Sequence, residues 1–394
     1  MAGEMTRRET LTRGMAAAAA LALVPEWALP ALAQGEVDVP FTDIPEAFNP
    51  RPADGARRSL DLRRIDGLIT PADEFFFIQH YNKPEIDPAS YRLRITGLVN
   101  KPVQLSLADL RSMRAVDLVN GYECSGNSAR AMQGLVSNGR FTGVRLRDVL
   151  QRAGVGEKAR EVVFFGADKG NEDVVFRQQT LKVQQQFARS ITLENAMKPE
   201  PLLAWALNGQ PLSRDHGAPL RVIMPGWYGV ANVKWLTRIE VRDQRHAGNY
   251  MARDYVTIRE EHRGGSDPLW TFSTVRHFRL KSAPARVVRR GSRYVVLGAA
   301  WGAPIAAVQV RIDDGPWMPT RLFGPEPRGR SRRGLAWQFW TFNWGMPPAG
   351  EHRVTSRAFD IDGNVQPAPD DPFLASKVTF WESNGHITRR VLIP

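Results

Sequence analysis

The segment RDHGAPLRVIMPGWYGVANVKWLTRIEV, residues 214–241, decides the fold. Its two apolar runs, at 219–226 and from residue 233 onward, are typical of buried strands. His216 and Arg221 lie five residues apart before the first run, and Lys234 stands between apolar residues of the second. On the residues alone, a turn histidine and a surface ion pair explain His216 and Arg221 as well as ligand binding does. Lys234 fits either an edge-facing strand residue or a contact to a ligand.

The chain before and after this segment mixes strands with short helices. Apolar and polar residues alternate at 91–99, which is typical of a strand with one buried face. The apolar run at 161–168 is typical of a strand buried on both faces. Residues 105–113 predict a short helix with Ser106 as N-cap and Asp109 at its third position. A second short helix is predicted at 145–154. This pattern indicates an α+β domain, which we place at residues 60–258.

The pattern changes after about residue 264, where alternating segments are separated by Gly, Pro and Asp turns. Such spacing predicts an antiparallel β-sandwich of immunoglobulin-like type, at residues 265–394. The predicted strands lie within residues 285–301, 306–317, 337–344, 350–364 and 377–382. Before the α+β domain, residues 34–59 read as a lead-in segment without a clear period. A basic loop between Arg328 and Arg333 lies inside the sandwich, and its role is open.

The N-terminus predicts export. Arg7 and Arg8 precede an apolar stretch, and Ala31 and Ala33 form a small-x-small cleavage site, so residues 1–33 are typical of a twin-arginine signal peptide. Thr10 departs from the usual aromatic residue, and an uncleaved anchor helix is the alternative. The apolar run is too short for a good membrane span. Export by this route implies a periplasmic protein.

The composition is that of a soluble globular chain, with 43% hydrophobic residues and a net charge of +12 among 394 residues. The positive charge is not accompanied by a helix-turn-helix, zinc-finger or ribonucleoprotein pattern. We therefore expect no nucleic-acid partner.

Cys124 is the chain's only cysteine and lies in the loop NGYECSGNSAR, residues 120–130. A lone cysteine is most often a small buried hydrophobe, but the glycines and small polar neighbours favour a loop whose amides stabilise a thiolate. A cysteine nucleophile would need a base that the sequence does not identify. A structural zinc site would need ligands that are missing. A soft metal held by one thiolate and a cofactor stays open.

Three segments carry a resemblance to the sulfite oxidase family of molybdopterin enzymes. GYECSGNS resembles its cysteine loop, residues 214–241 resemble its pterin-binding segment, and FFFIQHYNKPEIDP (75–88) resembles a segment near its start. The β-sandwich is similar to the family's dimerisation domain, which implies a homodimer. Among the branches of this family, the chain most resembles the molybdenum subunit of the sulfane and sulfite dehydrogenases. The resemblance covers most of residues 60–385.

The resemblance implies a molybdenum–molybdopterin cofactor and assigns site residues. Cys124 would supply the thiolate to molybdenum, and Tyr255 would be the active-site tyrosine that contacts substrate or passes a proton. His216 and Arg221 would bind the pterin phosphate. Cofactor contacts are also implied for the residues His80, Asp168 and Lys234. For Tyr255, His80 and Asp168, packing, core and turn roles remain the alternatives on the residues alone.

The substrate pocket departs from the family pattern. Ile78 stands where a substrate arginine of sulfite oxidases would align, and Asn384 stands where another would. Arg130 is one candidate replacement. A pocket with fewer arginines binds a dianion weakly, because desolvating that charge is costly. A neutral or protein-linked sulfur compound is therefore an alternative to sulfite.

The implied activity is oxygen-atom transfer to a small sulfur compound, with electrons passed to a c-type cytochrome. The chain has no Cys-x-x-Cys-His haem motif and no Gly-x-Gly-x-x-Gly nucleotide loop, so electrons must leave to another protein. The alternatives are a sulfoxide-type reductase, a non-catalytic periplasmic binding protein on the same fold, and a cofactor-free cysteine hydrolase.

Overall fold

The computed structural model describes residues 35–45, 55–262, 264, 267–323 and 336–394. The signal peptide predicted at residues 1–33 and the basic loop between Arg328 and Arg333 lie outside these ranges. The described residues form mainly strands, and the longest described α-helix, Leu146–Ala153, has eight residues. The α+β expectation is thus confirmed only in its broad form.

Two five-stranded sheets build the part that holds residues 214–241. The cysteine-loop sheet has Leu202–Leu207 at its centre, paired with both Val136–Arg145 and Arg221–Ile223. In the long-hairpin sheet, Leu236–Arg242 lies between Leu93–Gly97, to which it is parallel, and Glu161–Phe176. The remaining strands of the two sheets are Gln210–Pro211 and Ala115–Glu123 in the first, and Val103–Leu105 and Gln179–Thr192 in the second.

The short helices form where the sequence predicts them. Ser106 caps Leu107–Arg111, and its hydroxyl and the Asp109 carboxylate close a capping box across the first turn. Leu146–Ala153 buries its apolar side, which includes Val149 and Leu150, in the core between the sheets. The other described helices are the single turns Leu193–Ala196, Asn249–Ala252 and Pro372–Ala375 and the 3-10 turns Leu62–Arg64, Ala129–Ala131, Arg214–His216 and Gly229–Ala231.

Two antiparallel sheets form the C-terminal part and share one apolar core. The first is ordered Glu36–Val39, Lys281–Arg290, Arg293–Trp301, Gln338–Gly345, Arg321–Phe323, and the second Met318–Pro319, Ile305–Ile312, Gly350–Asp360, Ile387–Ile393. Val296, Val308 and Val354 meet between them at 0–1% exposure. In the first sheet, Lys281–Arg290 and Arg293–Trp301 are buried on both faces over most of their length, because a second apolar cluster covers the outer face.

Two sequence expectations differ from the structure. The lead-in segment contains a strand, Glu36–Val39, which pairs with the edge of the sandwich strand Lys281–Arg290. The strand predicted at residues 377–382 is wrong, because this segment makes only an isolated bridge to Arg259 and then turns. The strand that completes the second sheet is Ile387–Ile393. Trp381 instead packs its ring on Tyr255, so the apolar pattern of this segment serves a side-chain contact and not a ladder.

Two small sheets complete the described structure. Val256–Glu261 pairs with Leu269–Thr274, and Arg57–Arg58 pairs with Phe77–Ile78. The first pair connects the two parts of the chain. The second places residues 77–80 beside the loops that follow the cysteine-loop sheet, where the candidate site lies.

Candidate active site

A single pocket brings together every residue that the sequence predicts for the site. It contains about 600 Å³ of space not filled by protein atoms, part of it open to solvent. Its lining includes all of the predicted site residues, namely His80, Cys124, Asp168, His216, Arg221, Lys234 and Tyr255. These residues come from segments up to 175 positions apart in sequence. The convergence of the residues is observed, while their individual roles stay predictions.

Cys124 lies at the end of the strand Ala115–Glu123, where the chain leaves the sheet. Its side chain is 7% exposed, and its Sγ accepts a hydrogen bond from the Gly126 amide at 3.4 Å. Burial raises the pKa of the Cys124 thiol to about 11. A bound metal ion overrides such a shift, because a coordinating thiol is deprotonated by the metal charge itself.

Arg221 is buried beneath the pocket with its guanidinium surrounded by neutral acceptors. It donates to the backbone oxygens of His216 (3.0 Å) and Asn232 (3.1 Å) and to the Tyr122 hydroxyl. Its Nε has no hydrogen-bond partner among the described residues. Burial lowers the pKa of Arg221 but leaves a guanidinium charge at neutral pH. A cation held without a carboxylate is suited to an anionic ligand.

His216 lies against Phe75 and Phe77 at the end of the 3-10 turn Arg214–His216. Its Nε2 is 3.2 Å from the backbone oxygen of Ala72. Burial first, and the charge of Arg221 second, lower the pKa of His216 to about 4. The imidazole is therefore neutral at pH 7 and offers one donor and one acceptor.

Lys234 and Asp168 are a basic and an acidic residue that both line the pocket and influence each other's pKa. Lys234 Nζ donates to the backbone oxygens of Ile78 (3.0 Å) and Asp215 (3.1 Å), and burial lowers its pKa to about 7. Burial also raises the pKa of Asp168 to about 7, and Asp168 Oδ1 lacks a partner among the described residues. An unsatisfied buried carboxyl oxygen is costly unless a ligand donor reaches it.

Tyr255 and His80 contact each other directly. The Tyr255 hydroxyl lies 2.6 Å from His80 Nε2. Burial lowers the pKa of His80 to about 3, with a smaller effect from Lys234, so the imidazole is neutral. Burial raises the pKa of Tyr255 well above its ordinary value, so the phenol keeps its proton.

Sequence reasoning missed the aromatic residues that surround this contact. Phe187 and Tyr250 pack on His80 with ring centroids 5.2 and 4.7 Å away, and Trp381 stacks on Tyr255 at 4.4 Å. Phe187 also lines the pocket. The sequence signal for Trp381 was present, but its segment was interpreted as a strand.

The positions at which the sequence departs from sulfite oxidases now have locations. Ile78 lines the pocket. Arg130 lies exposed on the 3-10 turn Ala129–Ala131, and it is not among the lining residues. Asn384 is buried elsewhere and donates to the backbone oxygen of Leu280 at 3.3 Å. Arg221 and Lys234 are the cations that line the pocket in the described part of the chain.

The described residues contain neither a cluster of metal-binding side chains nor a membrane-spanning helix. None of their His, Cys, Asp and Glu side chains come together in groups of three or more able to hold a metal ion. Within those same ranges, no helix combines the length and apolar character that a bilayer crossing requires.

Known proteins define the class of this fold and pocket. Residues 80–250 match the family described as the oxidoreductase molybdopterin binding domain. The chain is 31% identical to the sulfite oxidase of Gallus gallus over 330 residues, which cover 76% of this chain and 68% of that protein. It is also 31% identical to the mitochondrial sulfite oxidase of Homo sapiens over 329 residues, 77% of this chain. The fold and pocket are those of a molybdopterin-binding oxidoreductase.

The chain belongs to the sulfite oxidase family of molybdopterin oxidoreductases. It spans 58% of the length of the human and macaque mitochondrial sulfite oxidases that it matches. The crystal structure of the sulfane dehydrogenase SoxCD from Paracoccus pantotrophus shares the fold with a TM-score of 0.71 and 23% identity, covering 91% of both chains.

The pocket residues fit the molybdenum–molybdopterin cofactor that the family implies. A phosphate needs cations and N–H donors, and Arg221 offers a buried guanidinium with an unpartnered Nε. A pterin ring carries N–H groups, and the free Oδ1 of Asp168 is an acceptor for them. Molybdenum is thiophilic, and Cys124 places one sulfur in the same pocket.

Proposed function

We propose that the protein is a molybdenum–molybdopterin oxidoreductase that oxidises sulfite or a related sulfur compound by oxygen-atom transfer. One observation carries the proposal: the chain's single thiol, a buried tyrosine and two buried cations line the same pocket. Oxidation of sulfite would consume one water and release sulfate, two protons and two electrons. The bound cofactor supplies the oxygen transfer and accepts the electron pair.

The protein residues bind and orient the reactants. Arg221 and His216 hold the phosphate of the cofactor, and Asp168 accepts from the ring N–H groups. The Tyr255 hydroxyl donates a hydrogen bond to the substrate oxygen or to His80 Nε2, because the neutral imidazole can accept. Tyr255 and the aromatic rings around it exclude water from the reacting sulfur.

The reacting end of the pocket supports an uncharged sulfur compound in preference to sulfite. Tyr255, His80 and Phe187 contribute neutral aromatic side chains to the pocket lining, and Ile78 contributes an aliphatic one. Both lining cations are assigned to the cofactor. A dianion would lose its hydration at this end without a new cationic partner, which is unfavourable. A thioether or a sulfane sulfur loses little hydration.

The electron acceptor is proposed to be a c-type cytochrome, with the protein acting in the periplasm after twin-arginine export. The missing haem motif and the N-terminal Arg7–Arg8 pair support these two proposals. The two-sheet C-terminal part is proposed to be an immunoglobulin-like domain that forms a homodimer. Sedimentation of the purified chain tests the dimer directly.

The experiment that tests the function measures molybdenum and pterin in wild type and Cys124→Ser purified from an exporting host. About one molybdenum per chain in wild type, with an altered metal site in the variant, supports the cofactor and the thiolate role. Sulfite, thioether and sulfane substrates are then assayed with oxidised cytochrome c. A folded wild-type chain without molybdenum contradicts the proposal.

Reduction of a sulfoxide is the second candidate, and the same uncharged pocket end favours it. A sulfoxide is neutral, and its oxygen can accept a hydrogen bond from Tyr255. The assay with a reduced donor and methyl phenyl sulfoxide separates the directions. Faster turnover in this direction than in any oxidation would replace the first proposal.

A further inference from the structure

The loop that carries Cys124 is held from both sides by residues that belong to the C-terminal part of the chain. On one side, Glu123 forms an ion pair with Lys281, whose Nζ lies 2.6 Å from Glu123 Oε1. On the other side, the Glu382 amide donates to the backbone oxygen of Ser125 at 2.8 Å. Lys281 is the first residue of Lys281–Arg290, the first long strand of the C-terminal part.

The ion pair is fully enclosed. The side chains of Lys281 and Glu123 are 2% and 0% exposed. Asn127 closes the loop around it, since its Nδ2 donates to Glu123 Oε1 at 3.0 Å and its Oδ1 accepts from the Leu135 amide at 3.0 Å. Lys281 Nζ also lies 3.4 Å from the backbone oxygen of Asn127. One ammonium group thus contacts both the residue before Cys124 and the residue three positions after it.

Such a pair is a poor source of stability but a strong constraint on geometry. Desolvation of two charges offsets most of their attraction, and a well-packed apolar replacement is often as stable. Removing one partner alone leaves a buried charge without a counter-ion and strongly destabilises the fold. Glu123 and Lys281 come from separate sheets, so the pair fixes the position of the Cys124 loop relative to the C-terminal part.

We propose that Lys281 is a positioning residue, through which the C-terminal part holds the Cys124 loop in the geometry that places the sulfur in the pocket. The structural half of this inference stands on the contacts alone. Its catalytic meaning rests on the proposed function, in which Cys124 binds the metal.

The first test measures the reactivity of the thiol in the cofactor-free chain. Since Cys124 is the only cysteine, alkylation by iodoacetamide reports this loop without interference. The double variant Glu123→Gln, Lys281→Met removes both charges and therefore leaves no buried charge without a partner. We expect its alkylation rate to rise about tenfold through local opening of the loop, while tryptophan fluorescence shows no matching rise in global unfolding.

Val354→Ala is the matched control. Val354 is fully buried in the core between the two C-terminal sheets, so the truncation lowers stability without touching the loop. Its alkylation rate is expected to follow global unfolding only. Equal alkylation rates in the double variant and in wild type would overturn the proposal, as would a rise that merely follows global stability.

The second test uses the holoenzyme. In Lys281→Met, or in the double variant if the single one does not fold, we expect a changed molybdenum–sulfur distance in X-ray absorption and a kcat reduced about tenfold with KM little changed. Unchanged metal–sulfur geometry would overturn the positioning role. If wild type contains no molybdenum, the proposed function fails, and the alkylation test still decides the structural inference.

Discussion

The hydroxyl of Tyr255 lies 2.6 Å from Nε2 of His80, in a pocket wall where both groups are buried. The family resemblance predicts that His80 contacts the pterin, and the structure adds a contact to the tyrosine while His80 also lines the pocket. A neutral imidazole at this distance fixes the direction in which the phenol points. Trp381 stacks on the Tyr255 ring with the two ring centroids 4.4 Å apart.

Removing the Tyr255 hydroxyl is predicted to slow turnover and to leave cofactor loading intact. In Tyr255→Phe, kcat should fall about 10- to 100-fold, at or below the usual size of a proton-transfer contribution. Molybdenum per chain should stay at the wild-type value, because the phenol does not hold the cofactor. Steady-state kinetics together with metal analysis measure both quantities.

Tyr294→Phe provides the comparison for this variant. Tyr294 is also buried, but it lies in the core of the C-terminal sheets, remote from the pocket. Removal of the Tyr294 hydroxyl in this variant should leave kcat unchanged. A kcat in Tyr255→Phe equal to that of Tyr294→Phe would show that the phenol takes no part in the reaction.

Arg221 is predicted to control cofactor retention. Replacing it with Lys keeps the charge but loses the fork of donors that reaches His216 and Asn232. Molybdopterin should dissociate about tenfold faster from Arg221→Lys during dialysis, which pterin fluorescence of the dialysed protein measures. Arg214→Lys, in the same segment but on the surface, should retain the cofactor as wild type does. Equal retention in both variants would remove Arg221 from the phosphate site.

The residues of the candidate site could be named from the sequence through the family resemblance, because they lie in motifs that carry it. His216, Arg221 and Lys234 fall within one continuous segment, and Cys124 is unique. The contact between His80 and Tyr255 could not be predicted, since it joins residues 175 positions apart. The ion pair of Glu123 and Lys281 is equally nonlocal, and each residue alone looks like an ordinary surface charge.

The fold was predictable where one face of a strand is buried and less so elsewhere. Alternation located Leu93–Gly97 and the second half of Gly350–Asp360, because buried residues recur at every second position there. Residues 377–382 alternate in the same way, yet this segment joins no sheet, and its Trp381 stacks on Tyr255 instead. Glu36–Val39 has only four residues, too few for its alternation to be distinctive, and it pairs with the sheet edge while Val39 packs against the core.

Ile78 is predicted to set the preference against anions. Ile78→Arg would add a guanidinium to the pocket lining, so KM for sulfite should fall at least about tenfold, within the range for a charge-assisted contact. Turnover of an uncharged thioether should fall at the same time. Ile78→Met, which has similar size and no charge, should change neither. A sulfite KM equal in both variants would contradict a charge-based preference. The comparison uses initial rates with cytochrome c as acceptor.

Acidification is predicted to destabilise the cofactor-free chain through His216. Its pKa is about 4 in the folded chain against 6.5 ordinarily, chiefly because of burial. Between these values the unfolded chain binds a proton that the folded chain does not, so stability is lost as pH falls through 6.5 towards 4. From pH 7 to pH 4.5 the loss assigned to His216 is about 2 kcal/mol.

Urea unfolding of wild type and His216→Gln at these two pH values measures this loss. His80 acts in the same direction, whereas the raised pKa of Asp168 stabilises the folded chain on acidification, so only the difference between the two proteins isolates His216. His216→Gln should lose about 2 kcal/mol less stability than wild type, because glutamine does not titrate. An equal loss of unfolding free energy in the two proteins would contradict this prediction. It would mean that the His216 imidazole can be protonated in the folded, cofactor-free chain without an anion beside it.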